Sequence, residues 1–156
     1  MIDKPKIPTI FDSTTLDIVG VHLIDTFMAD ESVKYDAERR EVRLSTWRQD
    51  CAAGYRWDRL WFIPIKRWAF RRWDLLFRNV EDCQIVYSGE KVSPPYYEIG
   101  RVECILPDKI LLSFHYVLSI TLVVSGIDGQ LTETDEISFD LPECKEHDSG
   151  RETASD

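Results

Sequence analysis

The 156-residue chain carries 19 Lys/Arg against 28 Asp/Glu, a formal net charge of −9, with 44 % hydrophobic and 12 % aromatic residues. This is a one-domain length with enough apolar material to bury roughly two thirds of its unfolded surface. The acidic total opposes nucleic-acid binding at long range, and the separated cysteines Cys51, Cys83, Cys104 and Cys144 form no CxxC pair, which excludes a zinc framework or a dense disulfide scaffold.

In chain order, MIDKPKIPTIFDS has two prolines and no uninterrupted apolar stretch. No secretory signal is expected, and a reduced, cytoplasmic setting is. Residues 1–14 are read as an N-terminal extension, 15–142 as a single antiparallel β domain and 143–156 as an acidic disordered tail. Leu16 to Ile24, LDIVGVHLI, admits two readings. As a helix it would take Ser13 as N-cap and place Leu16, Val19, Gly20, Leu23 and Phe27 on one face. It also reads as a strand rich in β-branched residues, and the strand is preferred because Gly20 and the Ile/Val content weaken a helix. A hairpin is predicted next, from about Ser32 to Trp47, turning at Asp36-Ala37-Glu38-Arg39.

The segment Trp47 to Arg78 holds all five tryptophans, interleaved with arginine. Between Arg39 and Arg78 eleven Lys/Arg face four Asp/Glu, a local charge of +7 inside an acidic chain. Such a split marks a surface built to meet something, or two parts of one molecule that meet each other. Aromatic rings with arginines could stack on unpaired bases, but no nucleic-acid signature accompanies them. Trp, Tyr and Arg also dominate protein-interface hot spots, and buried β-segments use the same residues as core. Pro64 breaks any long helix or central strand, so Trp57, Trp61 and Trp68 belong to a loop, an edge or a protruding hairpin. The partner-binding candidates are Trp57, Arg59, Trp61, Arg67, Trp68, Arg71 and Arg72. Trp73 alternates with Leu75 and Phe77 and is assigned to the core.

Gln84 to Ser88 reads as a short strand, Ser93-Pro94-Pro95 as a bend, and Tyr97 to Leu106 as a strand leading through Pro107-Asp108 into a longer one. Ile110 to Ile127 is eighteen residues without a formal charge, the lower limit for a spanning helix. Its even positions through Val124 are apolar while the odd ones include Ser113, His115, Ser119 and Thr121. That period of two predicts a strand with one buried face, bent or split near Tyr116, and no membrane span. Gly126 to Gly129 reads as a turn, and Ile137, Phe139 and Leu141 as a further alternating edge. From Asp128 onward ten acidic residues face two basic ones.

No motif specifies a reaction. His22, His115 and His147 are far apart and outside any metal-ligand spacing. There is no GxSxG elbow and no phosphate-binding glycine loop. No catalytic residue, metal or cofactor is assigned.

The stretches LDIVGVHL, YDAERREVRLSTW and WDLLFRNVEDCQI, followed by alternating strands, resemble small bacterial β-domains found among the immunity proteins of polymorphic toxin systems and related uncharacterised families. Phe77-Arg78-Asn79-Val80 matches that group's Phe-x-Asn/Gly-Val/Ile strand end, and Leu16-Asp17 keeps the acid of its His-Asp pair. The resemblance implies a compact binding protein without a cofactor, whose partner is another protein. The expected fold is mainly β with little helix, an antiparallel sandwich or a strongly curled, barrel-like sheet. The expected function is non-enzymatic protein binding, with a homo-oligomer left open. The alternative is a small enzyme or ligand-binding β domain with a pocket.

Overall fold

The computed structural model describes residues 9–28, 33–88, 97–115 and 117–140, and the backbone of 150–153. Strand accounts for 67 % of it and helix for 12 %, arranged as one curled antiparallel sheet forming a half-barrel with a small second sheet. The barrel-like alternative of the sequence reading is therefore the one adopted.

Two long strands form the spine: β6, Phe70–Tyr87, and β10, Leu118–Ser138. In chain order they are preceded by β1 (Phe27–Met28), β2 (Lys34–Asp36), β3 (Glu41–Gln49), β4 (Tyr55–Leu60) and β5 (Ile63–Trp68). Between β6 and β10 lie β7 (Tyr97–Glu98), β8 (Arg101–Leu106) and β9 (Lys109–Phe114). The main sheet runs β7-β1-β3-β6-β10-β9-β8, with β2 beside β3. Strands this long must bend, and breaks in the β6–β10 register after Val123, Val124 and Glu133 provide the bulges that curl the sheet.

One of these irregularities falls on the Phe77-Arg78-Asn79-Val80 motif. Asn79 has φ 58°, a left-handed conformation that Asn tolerates better than most residues. The local irregularity lets Phe77 and Val80, three apart, both be buried, after which Cys83, Ile85 and Tyr87 resume the alternation on the core side. What reads as a separate short strand at Gln84 to Ser88 is thus the second half of β6.

The segment Leu16 to Ile24 corrects the sequence expectation. It is part of a helix, α1, Ser13–Leu23, and not a strand. The cap is Asp12, one residue before the Ser13 expected for a helix. Its carboxylate accepts from Thr15 N at 2.8 Å, while Thr15 Oγ1 accepts from Asp12 N at 3.1 Å. This reciprocal pair satisfies amides a helix start leaves unbonded. Gly20 is the contact point that makes the helix useful, because a Cβ there would lie 3.1 Å from the Val102 carbonyl of β8. Leu16, Val19 and Leu23 fill the curl of the sheet with no solvent exposure.

The apolar run Ile110 to Ile127 splits where expected. β9 ends at Phe114, Leu118 of β10 pairs back onto it, and Ile110, Leu112, Phe114, Leu118, Ile120, Leu122 and Val124 are all buried. Among the described residues no helix is long and apolar enough to cross a membrane. The turn expected at Gly126 to Gly129 is absent, and β10 continues through it. Gly129 is needed inside the strand for another reason: a Cβ there would lie 2.7 Å from the Leu76 carbonyl and 3.3 Å from Ile10. Ile10 is fully buried and exchanges two backbone hydrogen bonds with Gly129, so the last part of the N-terminal extension is built into the domain. Within the tail expected to be disordered, β11, Gly150–Thr153, pairs antiparallel with Tyr87 to Gln84 of β6. The bend at Ser93-Pro94-Pro95, Leu141 and residues 143–149 lie outside the described residues.

Candidate functional site

β3 and β6 are neighbours in the sheet, yet twenty residues separate Gln49 from Phe70. Those residues leave the sheet. Asp50 caps a 3-10 turn, Cys51–Ala53, accepting from the Ala52 and Ala53 amides at 3.1 and 3.3 Å. Asp50 N–H to the Ala69 carbonyl (2.8 Å) and Ala69 N–H to the Gly54 carbonyl (3.0 Å) close the base. Beyond that neck, β4 and β5 pair only with each other, and neither contributes a buried residue. Pro64 is compatible with this placement because β5 is the edge of a two-stranded ribbon.

The register Tyr55↔Trp68, Trp57↔Lys66 and Arg59↔Pro64 puts the aromatic residues on one face of the hairpin. Tyr55 makes edge contacts with Trp57 and Trp68, and the Lys66 ammonium lies over the rings of Tyr55 (3.8 Å) and Trp68 (4.4 Å). Leu60 and Ile63 pair across a two-residue turn made of Trp61 and Phe62. Trp61 is 87 % and Phe62 94 % exposed. Trp61 also has φ 59°, at a position where such turns call for Gly or Asn. A bulky residue in this conformation is strained by about 1–3 kcal/mol. Four consecutive large apolar residues, Leu60 to Ile63, thus sit exposed on a turn they do not favour.

The arginines of the basic segment are mostly engaged. Arg67 binds Asp58 at 2.8 Å and Asp140 at 2.9 Å, and Arg56 binds Asp140 at 3.3 Å. Arg71 binds Asp50 at 2.8 Å and Glu133 at 3.3 Å. Arg72 pairs with Glu136 and Asp74, and Arg78 with Asp128. The basic segment and the acidic stretch 128–140 therefore meet within the molecule. The Arg71 guanidinium holds Asp50 below the usual carboxylate range, and the Arg59 amide followed by the Arg67 side chain does the same for Asp58. Of the sequence candidates, Trp57, Arg59 and Trp61 are exposed on the hairpin and Trp68 is half-buried at its base, whereas Arg67, Arg71 and Arg72 hold carboxylates. Sequence reasoning missed Tyr55, Leu60, Phe62 and Ile63, which the Trp/Arg pattern overshadowed.

A cavity of about 590 Å³ opens beneath the hairpin neck, lined by His22, Arg48, Asp50, Arg71, Trp73 and Ile137 among others. Trp73, assigned to the core from its alternation, packs on it only in part and presents its ring to this cavity. His22, near the end of α1, stacks edge-on against Trp73 with ring centres 4.7 Å apart. Arg48 Nη1 lies 2.6 Å from His22 Nδ1 and 2.8 Å from Nε2. Burial, reinforced by Arg48, lowers the His22 pKa to about 4, so the imidazole is neutral at pH 7. His115 faces Glu98 at 3.6 Å. Among the described residues neither histidine is hydrogen-bonded to a serine or cysteine side chain, and no group of three or more His, Cys, Asp or Glu is placed to hold a metal ion.

No protein family, curated protein or solved structure matches this chain.

Proposed function

We propose that this is a non-enzymatic protein-binding domain whose docking element is the tip of the β4–β5 hairpin. The exposure of Leu60-Trp61-Phe62-Ile63 on a strained turn carries this reading. An isolated large apolar patch raised above a folded body marks an interaction site, and a Trp at the centre of such a patch is the residue type that dominates hot spots. The kind of partner follows from charge. With Arg56, Arg67, Arg71, Arg72 and Arg78 neutralised by carboxylates and the chain at −9 overall, a polyanion or an anionic membrane gains little from the basic segment. Among the described residues two hairpin cations have no carboxylate within salt-bridge distance: Arg59, next to the tip, and Lys66, which lies over the Tyr55 and Trp68 rings. The favoured partner is a protein with an apolar pocket and an acidic rim, and the resemblance to toxin-immunity domains supports a toxin as that protein.

The test is co-purification of the chain with the product of its neighbouring gene, beside sedimentation with phosphatidylserine vesicles. The expected outcome is a complex lost in a Trp61→Ala/Phe62→Ala variant, with no vesicle binding. Vesicle binding abolished by the same variant would replace the protein partner with a lipid surface. A concentration-dependent dimer abolished by it would make the partner a second copy of the chain.

A further inference from the structure

The cavity beneath the hairpin neck is independent of the exposed tip and is built differently. Four elements converge on it: α1 through His22, β3 through Arg48, β6 through Arg71 and Trp73, and β10 through Glu133 and Ile137. Its volume of about 590 Å³ falls in the range of small-molecule sites, and its walls combine apolar surface with a few polar groups.

The polar groups are not equivalent. Asp50 already accepts from the Arg71 guanidinium and from two backbone amides, and Arg71 is held between Asp50 and Glu133. These charges are satisfied by each other. Arg48 has no carboxylate within 4.0 Å among the described residues, and its one side-chain contact is with a histidine that burial keeps neutral. A guanidinium carries five donors in a planar fork suited to a carboxylate. Only one of its nitrogens is used here. The faces of Trp73 and Ile137 offer apolar contact within the same cavity.

We propose that this cavity binds a small organic monocarboxylate, with the carboxylate on the fork of Arg48 and an aryl or alkyl body against Trp73 and Ile137. His22 positions Arg48: the Nη1 group rests against the neutral ring within 2.8 Å of both ring nitrogens, and Nε and Nη2 have no side-chain partner among the described residues. A bound anion also favours the protonated form of the adjacent imidazole, so the ligand should raise the His22 pKa. The groups that face this histidine are Arg48, Trp73 and Glu133.

Calorimetric titration of the full chain at pH 7 with indole-3-acetate, its neutral amide and tryptamine separates the alternatives, since the three share one body. The acid is expected to saturate, with the amide at least about tenfold weaker because it cannot form a charge-assisted bidentate pair. Arg48→Gln should lower the acid to the affinity of the amide, and the His22 proton resonances should titrate at higher pH with the acid bound. Trp61→Gly, which alters only the hairpin tip, should leave all of this unchanged, so failure here is distinct from failure of the protein-binding reading. Equal binding of acid and amide, preference for tryptamine, or no saturation by the acid below about 10 mM would overturn the proposal. Arg48 is exposed and should be dispensable for folding. The comparison of ligands on the unaltered chain decides the question even if the variant does not fold.

Discussion

Arg67 and Asp140 lie seventy-three residues apart, yet the Arg67 Nη1 donates to Asp140 Oδ1 at 2.9 Å, tying the end of β10 to the protruding hairpin. Asp140 Oδ2 also accepts from Arg56, and the Arg56 guanidinium lies 5.1 Å from the Phe139 ring centre. One carboxylate therefore props a two-stranded ribbon that contributes no fully buried residue. Replacing Asp140 by Asn should change global stability by less than about 1 kcal/mol, because exposed ion pairs contribute little. Backbone amides of Tyr55–Leu60 should nonetheless exchange faster, and retention on heparin should rise as Arg56 loses its carboxylate while Arg67 keeps Asp58. Unchanged exchange would show that the neck alone holds the hairpin.

At the turn, Trp61→Gly removes both a large exposed ring and an unfavourable backbone conformation. Urea unfolding should show stability equal to or up to about 1–3 kcal/mol above that of the parent chain, while partner binding falls by about 2 kcal/mol or more. Leu75, fully buried on β6, is the control: Leu75→Ala should lose about 2–5 kcal/mol of stability. A Trp61 variant as unstable as the Leu75 one would mean that the ring is structural.

Gly129→Ala tests the joint between β10 and the N-terminal segment. Its methyl group would meet the Leu76 carbonyl at 2.7 Å, and a backbone atom in a central strand cannot move aside cheaply. A loss of about 1–3 kcal/mol is expected from overpacking. A neutral substitution would show that the Ile10 bridge can separate without harm.

His22 predicts a pH dependence. Its folded pKa of about 4 lies below the ordinary histidine value, so below the ordinary value the unfolded chain takes up a proton that the folded one refuses. Stability should therefore fall as pH is lowered from about 6.5 to about 4, by at most about 3 kcal/mol before solvent screening is allowed for. His22→Gln should flatten that part of the profile. Asp50, whose carboxyl is already held below the usual range, loses its contribution only at still lower pH and does not confuse the window. Chemical denaturation at pH 7 and pH 5 with both chains measures the difference.

The parity of apolar residues made much of the sheet readable in advance. The alternation from Ile110 to Val124 continues in phase across the turn near Tyr116, since the side-chain period of a strand is two whichever way the chain then folds. The hairpin turning at Asp36 to Arg39, and a protruding element around Pro64, followed from local turn and proline chemistry in the same way. The helix did not. Local propensity counts Gly20 against α1, and only the approach of Val102 from β8, more than eighty residues away, makes that glycine an asset. Gly129 misled for the same reason: it read as a turn because the strand crowding it, with Ile10 beyond, belongs to distant sequence.

The charge split could be seen as +7 against an acidic remainder, but not whether it faced outward. Pairing of Arg67 with Asp140, Arg71 with Glu133 and Arg78 with Asp128 depends on β10 lying beside β6, a neighbour relation that no local pattern encodes. The cavity is less legible still, because His22, Arg48, Trp73 and Ile137 come from four separate elements and carry no mutual spacing. Composition and periodicity act along the chain and determine which faces are apolar. Loop closure and sheet register act across it, and they alone bring a neutral histidine against an arginine that has no carboxylate partner among the described residues.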